Sequence, residues 1–447
     1  MLDLERIRDL VNQRRPGHTL PRDLYNSPEA FKFDLDAIFG QSWILAGFTC
    51  EIPRPRGYLA VSVGGSPVVI TRDGEGVYRA FHNSCRHRGA QVCAEGAGGR
   101  ARLTCPYHQW VYDLDGRLVH ARMPETFERA EHGLRPVHLE NVAGALFVCL
   151  AETPPSFARF RADLEPLLAP HRLEEAKIAF QNTLVERGNW KLVMENAREC
   201  YHCGVSHPEL CLTFPIAASV DGHFAVAEDP HYAAFAARVE EAGLGMGPFV
   251  GPWWQVERFP LNKGHVGLTI DGALACRKPM VEGAGDIGSL RWAIEPHGFC
   301  HSTADTTVYF SAMPTAAGET VVTCKWLVHK DAVEGVDYDI EHLTALWNVT
   351  NLQDRDLVEV NQRGVNSVGY VPGPYSLPDE AYVQRFVDWY CDKAMDYIAA
   401  RTGVDARPIE LRGVISGAVE SNLTPAPDLQ ASAGRDSLEK NGALASD

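Results

Sequence analysis

The sequence predicts an α+β chain in which a small antiparallel β domain precedes a larger unit of strands faced by helices on one side. Three observations predict it. From Tyr58, short alternating strands broken by glycine turns follow one another (YLAVSV, GG, PVVITRD, GEG, VYRAFHN) as far as GALFVCLAE. A second alternating set, WAIEPH, TVYFSAM and TVVTCKWLVHK, lies between about 289 and 330. Two long helical patterns, roughly 337–363 and 379–402, come after it.

Residues 4–14 have helical spacing at Leu4, Ile7, Leu10 and Val11, and Ser27-Pro28-Glu29 supplies the cap residue and first-turn proline of a helix through about Ile38. Residues 1–39 therefore read as a helical arm and 40–152 as the β domain, with ETPPSF as a linker. The second domain, 153–422, opens with helices near 157–168 and 190–206. In it, AGLGMGPFVGPWWQ reads as a long loop or lid; GLGMG does not complete a dinucleotide fingerprint. Residues 423–447 are poor in large apolar side chains and read as a disordered tail.

Composition removes several function classes. The 447 residues are 45% hydrophobic, as in a globular protein, and 42 Lys+Arg against 58 Asp+Glu leave a formal charge of −16. Nucleic acid and anionic membranes both call for concentrated positive charge, so neither is an expected partner. No run approaches the ~20 apolar residues of a membrane span, and charges at the start exclude a signal-peptide core, so a cytoplasmic protein is expected. In a reducing compartment the 12 cysteines read as metal ligands or buried hydrophobes; Cys50, Cys149, Cys276, Cys300, Cys324 and Cys391 belong to the second group.

Two constellations carry chemistry. In FHNSCRHRGAQVCAEGAGGRARLTCPYHQW, Cys85-x-His87 and Cys105-x-x-His108 place one thiol and one imidazole on each of two turns. Zinc-finger pairs are usually Cys-Cys and His-His. A Rieske 2Fe-2S cluster, with two thiolates on one iron and two imidazoles on the other, requires one of each per turn. Gly89 and Pro106 fit as turn residues, Cys93 as packing and His82 as a strand residue. In NWKLVMENARECYHCGVSHPEL, His202 and His207 are five apart, about 140° around an ideal helix, and could not share a metal there. Pro208 ends the helix near Ser206 and lets His207 swing back. Two histidines and a carboxylate make the facial triad of non-haem Fe(II) oxygenases. The carboxylate candidates are Asp354 and Asp356, and the apolar face Leu346, Trp347, Val349, Thr350 and Leu357 favours Asp354. Glu199 stands where it would hold the second nitrogen of His202. Taken alone, Glu195 and Glu199 could be a solvated helix face. Cys200 and Cys203 could bind zinc or form a redox pair, but no second pair accompanies them.

Together, Cys85-x-His87, Cys105-Pro-Tyr-His108 and Glu199-x-Tyr201-His202-x4-His207-Pro208 resemble the α subunits of Rieske non-haem iron oxygenases, over most of the chain. The stretches ENARECYHCGVSHPELCLTFPI, AGFTCEIP, FHNSCRHRGA and CPYHQWVYDLDGRL are similar to the quaternary-ammonium branch, glycine betaine monooxygenase and stachydrine demethylase among them. The resemblance implies an N-terminal all-β Rieske domain and a helix-grip catalytic domain, an antiparallel sheet wrapped on a long helix. It implies Cys85, His87, Cys105 and His108 on the cluster, and His202, His207 and Asp354 on iron, Asp354 standing eight before Gln362. Glu199 would be the catalytic bridge by which electrons from His108 of a neighbouring subunit reach His202, within a homotrimer.

The implied reaction uses O2, two electrons and two protons to hydroxylate an N-methyl carbon, and the hemiaminal then releases formaldehyde. No flavin or nicotinamide motif is visible, so NAD(P)H would act only through a separate flavin/iron-sulfur reductase. Glycine betaine leads as substrate; proline betaine, carnitine, choline or an aromatic acid are the alternatives. A trimethylammonium group is best held by aromatic faces, and Phe214, Phe249, Trp253, Trp254, Phe259, Trp292, Phe299, Tyr309 and Phe310 are the candidates.

Overall fold

The computed structural model describes residues 3–215 and 230–403. The expected tail lies outside the described residues.

The amino-terminal helices Leu4–Asn12, Arg22–Asn26 and Pro28–Ala37 form where the spacing places them, and the Ser27 hydroxyl accepts from Ala30 N at 3.0 Å as the cap of the third. The β domain is a seven-stranded antiparallel sheet in the order Ile44–Phe48, Ala145–Cys149, Pro136–Val142, Tyr78–His82, Ser66–Arg72, Gly57–Val63, Gly96–Gly99. A three-stranded sheet, Leu103–Thr104, Val111–Tyr112 and Leu118–His120, packs beside it. Tyr58, Phe81, Trp110 and Tyr112 form the core of this part.

The second domain is another seven-stranded antiparallel sheet: Ala176–Glu186, Glu319–His329, Thr306–Ala316, Gly298–Ser302, Ser289–Ile294, Trp254–Phe259, Phe249–Val250. The long helix Ile340–Val365 lies on one face, which is the helix-grip arrangement. The two-residue period of a strand sorts the side chains. Leu290, Trp292, Ile294, Cys300 and Tyr309 point to one face, where they share a core with Trp43, Leu45, Phe48 and Phe147 of the β domain. Val308, Phe310, Cys324 and Trp326 point to the other and pack on Leu346 and Trp347 of the helix. Both faces are therefore covered. The β domain is tied to the sheet as well by Tyr309 Oη donating to Leu45 O at 2.8 Å and by Lys325 Nζ on both oxygens of Glu51 at 2.7 and 2.9 Å.

Three expectations are corrected. The helix expected over 190–206 runs only through Trp190–Asn196, and a four-residue turn of helix resumes at Cys203–Ser206. The interruption follows from Arg198, whose side chain is buried against Glu295, and from Glu199, whose carboxylate turns back to accept from Tyr201 N and His202 N instead of continuing the helix. The stretch expected as a loop near 244–255 contains the strand Phe249–Val250 and the start of Trp254–Phe259. Glu195 is not solvated: it is buried and accepts from Tyr25 Oη at 2.7 Å. The edge strand Ala176–Glu186 and the helix Pro230–Glu241 had no counterpart in the sequence reading.

Candidate iron centres

The two Cys-His turns of the β domain repeat one backbone pattern. Cys85 N donates to Ala90 O and Gly89 N to Cys85 O; Cys105 N donates to Trp110 O and Gln109 N to Cys105 O. Each turn closes through a left-handed residue, Gly89 at φ +78° and Gln109 at φ +59°. Pro106 lies within the second turn, as expected of a turn residue, and Gln109 closes it. The matched turns set the Cys85 and Cys105 side chains inside, 4% and 1% exposed, and leave both imidazoles at the surface with their Nδ1 atoms 3.2 Å apart. His87 is stacked on Trp110 with ring centroids 5.0 Å apart, and Tyr112 Oη lies 3.3 Å from Cys85 Sγ. Two buried thiols facing two outward imidazoles fit a cluster whose sulfur-ligated iron is inside and whose nitrogen-ligated iron meets solvent. Cys93 is buried in the same core and His82 ends a strand, as expected.

In the second domain, the break after Asn196 and the helix end at Ser206 bring His202 and His207 together. Their Nε2 atoms lie 3.0 Å apart, and Asp354 Oδ1 lies 3.3 Å from the first and 2.9 Å from the second. Donors at right angles on a metal with bonds of about 2.1 Å stand about 3.0 Å apart, so this spacing is that of one face of a coordination octahedron. Asp354 Oδ1 is also a buried atom without a hydrogen-bond partner among the described residues. Asp356, the other candidate, is exposed and pairs with Arg355.

The neighbours fix both rings. His202 Nδ1 bonds Glu199 Oε1, and His207 Nδ1 donates to Gln353 Oε1 at 2.8 Å while Gln353 Nε2 donates to Glu209 Oε2 at 2.8 Å. With each Nδ1 engaged by an oxygen, both Nε2 lone pairs are aimed at the shared point. Burial disfavours charge on His202, but the carboxylates of Asp354 and Glu199 outweigh it and push the imidazole up to about 9. Burial likewise opposes ionisation of Asp354, yet the two imidazoles hold it below the usual carboxylate range. The point between them favours positive charge. Cys203 Sγ belongs to the same cluster of donors, but it is joined to Cys200 in a disulfide and has no thiolate to offer. That pairing is one of the two alternatives raised by the spacing of these cysteines, the other being zinc. Gln362 ties the site to the long helix by accepting from Asn189 N at 2.7 Å, at the cap of Trp190–Asn196.

A cavity of about 140 Å³ opens beside the three donors. Phe214, Phe299, His301 and Trp347 form its aromatic wall: His301 lies flat against Trp347 with centroids 5.3 Å apart, and Phe214 and Phe299 approach His301 at 5.4 and 5.8 Å. Burial, then the nearby charge of Arg291, hold His301 well below its usual range, so the ring is neutral. Of the aromatic candidates, Phe214 and Phe299 line the cavity; Trp292 and Tyr309 belong to the core between the domains. His301, Gln353, Arg198 and Arg291 were missed by the sequence reading.

Fold and donor sets together define a two-centre iron oxygenase subunit. Comparison with known proteins agrees. A model of the Rieske [2Fe-2S] domain matches residues 42–135, and one of the ring hydroxylating alpha subunit (catalytic domain) matches 173–395. The chain is 42% identical over 401 residues to the glycine betaine monooxygenase oxygenase subunit of Chromohalobacter salexigens, covering 88% of this chain and 89% of that one. It is 42% identical over 399 residues to the glycine betaine monooxygenase oxygenase subunit of Pseudomonas aeruginosa PAO1, covering 87% and 92%. The solved structure of the quaternary ammonium Rieske monooxygenase CntA with L-carnitine shares the fold, with a TM-score of 0.65 and 22% identity over 87% of this chain and 98% of that one. The chain belongs to the Rieske non-haem iron oxygenase α subunits, oxidoreductases that carry a 2Fe-2S cluster and a mononuclear iron.

Proposed function

We propose that this chain catalyses the oxidative N-demethylation of a short quaternary ammonium carboxylate, glycine betaine first among them, with O2 as co-substrate and electrons from a separate NAD(P)H-dependent reductase. In this reading Cys85, His87, Cys105 and His108 hold the cluster, and His202, His207 and Asp354 hold the iron. When bound, these groups supply single electrons and the activation of O2. The observation that carries the substrate is the wall of Phe214, Phe299, neutral His301 and Trp347 beside the three donor atoms. A quaternary nitrogen cannot donate a hydrogen bond and gains about 0.5–2 kcal/mol from each well-placed aromatic face. The names of the relatives at 42% identity support the reading.

The quaternary arrangement is part of it. Tyr107, beside His108, is 55% exposed, and Tyr201 and Val205, beside Glu199 and His202, are 65% and 91% exposed. Two different exposed apolar surfaces, one at each centre, suit a head-to-tail contact that closes as a ring, here a homotrimer in which Glu199 meets the neighbour's His108.

The test is O2 consumption and formaldehyde release across glycine betaine, proline betaine, carnitine, choline and an aromatic acid, with a generic reductase. Formaldehyde in proportion to O2 with glycine betaine is expected. Turnover with the aromatic acid alone would overturn the assignment.

A further inference from the structure

The aromatic wall accounts for a cation, but positive charge borders the same wall on its sheet side. Arg291 lines it from the strand Ser289–Ile294. Its Nη2 donates to Ala197 O at 3.3 Å and its guanidinium lies over Phe299, 5.7 Å from the centroid. No carboxylate among the described residues forms an ion pair with it. The residue across from it in the register is Glu257, whose Oε1 is taken by Gln255 Nε2 at 2.8 Å. Burial pushes the Glu257 carboxyl up to about 7 against the pull of Arg291, so it offers only part of a negative charge near neutrality. Arg198 lines the same cavity. Its ion pair with Glu295 uses Nε and Nη2, at 3.2 and 2.8 Å, and leaves the buried Nη1 without an acceptor. Glu257 and Glu295 favour the charge of Arg291 without closing an ion pair on it, and a buried cation with no direct partner gains from a ligand that supplies the anion.

Two of the acidic groups are already committed. Glu199 and Asp354 are turned to the histidines. Asp379 also lines the cavity, and its neighbour Glu380 feels the charges of Glu199 and Asp379. Glu199 and Asp354 are thus committed to the histidines, while Arg291 stands on the sheet and Arg198 reaches it through Glu295. Register sets the distance between the cavity's two ligand-binding features: Arg291 is directly opposite His301 across the strand pair, on the same face. Such partners have Cβ atoms about 4.5–5.5 Å apart.

We infer that Arg291, assisted by the free Nη1 of Arg198, is the carboxylate anchor of this cavity, and that its position beside His301 selects zwitterions whose carboxylate stands one methylene from the quaternary nitrogen. The inference rests on the quaternary-ammonium reading above and names the determinant of its substrate choice. A longer zwitterion, with several carbons between the charges, cannot satisfy both neighbours with its methyl group still at the iron ligands. Choline, lacking the carboxylate, leaves the guanidinium unpaired.

The test compares wild type, Arg291→Gln and Arg291→Lys with glycine betaine, γ-butyrobetaine and choline, by steady-state kinetics and by ligand-induced quenching of tryptophan fluorescence. Arg291→Gln is expected to raise KM and the dissociation constant for glycine betaine about 100-fold, the loss of a buried charge-assisted pair. Choline constants should move less than about threefold, the cluster spectrum and iron content should stay unchanged, and Arg291→Lys should recover part of the loss. Equal losses for betaine and choline, or none for either, overturn the anchor. Wild-type enzyme with the methyl ester of glycine betaine provides a measurement that needs no variant: at least about 50-fold weaker binding is expected, and binding equal to the acid overturns the anchor. A wild type that ignores quaternary amines but turns over another carboxylate, with Arg291→Gln still raising its KM, would sink the demethylase reading and keep the anchor.

Discussion

Asp354 and Gln353 are adjacent in the helix and do different things: Asp354 offers an oxygen to the point shared by two Nε2 atoms, whereas Gln353 holds His207 from behind. Removing an outer partner of this kind typically weakens a metal site about 10–100-fold. Gln353→Leu is therefore expected to lower iron affinity by that factor, read as iron per subunit after dialysis against graded chelator. Asp354→Asn should lose the mononuclear iron outright while the visible spectrum of the cluster persists; iron retained with full activity would remove Asp354 from the site. The histidines and Asp354 were legible in the sequence because their cause is local: Pro208 ends a helix, and an apolar stripe shows which face of Ile340–Val365 turns inward. Gln353 and Arg291 were not, because their roles come from contacts 146 and 94 residues apart, nor was His301, which meets Trp347 and Phe214 only in the folded chain. Glu195 misled for the same reason, since Tyr25, which covers it, lies 170 positions earlier.

At the scale of elements, the helix Trp190–Asn196 is held by a buried polar knot that also anchors the helix Pro28–Ala37 and the helix Ala381–Thr402. Lys191 Nζ and Trp190 Nε1 both donate to Asp34 Oδ2, Tyr390 Oη donates to Oδ1 at 2.9 Å, and the ammonium sits between the Trp190 and Tyr390 rings, 5.0 Å from each. Breaking a fully buried ion pair from one side leaves the other charge unpaired, at a cost of about 3–5 kcal/mol. Lys191→Met should cost that much in urea unfolding, and the double variant with Asp34→Leu should recover a good part of it. Glu195, one turn on, gives a pH dependence. Burial pushes it up to about 7, with the Tyr25 hydrogen bond pulling the other way. An acid whose folded value is raised binds its proton more tightly when folded. Its contribution is thus complete below about 4.5, its unfolded value, and is lost as pH rises to about 7. Glu195→Gln should remove about 3 kcal/mol of that decline between pH 4 and 8; an unchanged slope would mean that Glu195 ionises normally. Most long elements were readable from their periodicity. Ala176–Glu186 was not, because an edge strand with half-exposed residues alternates weakly, and the helix break at 197–202 was not, because it is imposed by Glu295, nearly a hundred residues on.

For the whole molecule, the shared core and the Glu51–Lys325 pair fix the β domain on the back of the catalytic sheet, while the cavity and the donors His202, His207 and Asp354 face the long helix on its front. The His87 and His108 edge is turned outward at the surface. A chain built this way holds its two donor sets on rigid, separate supports, and their exposed apolar rims, Tyr107 on one and Tyr201 with Val205 on the other, are what a second and third copy would cover. The ring reading can be tested without a structure of the assembly. A His108→Ala subunit keeps the iron ligands and loses the cluster's outer edge; a His202→Ala subunit does the reverse. Each alone should be inactive. Unfolded and refolded together in equal amounts, three-quarters of random trimers would contain both kinds, each with one productive junction of three, so about a quarter of wild-type turnover should return. Refolding of each variant separately, followed by mixing, controls for exchange. If the two centres of one chain served each other, no junction between defective copies could be productive, and the mixture would stay as inactive as its parts.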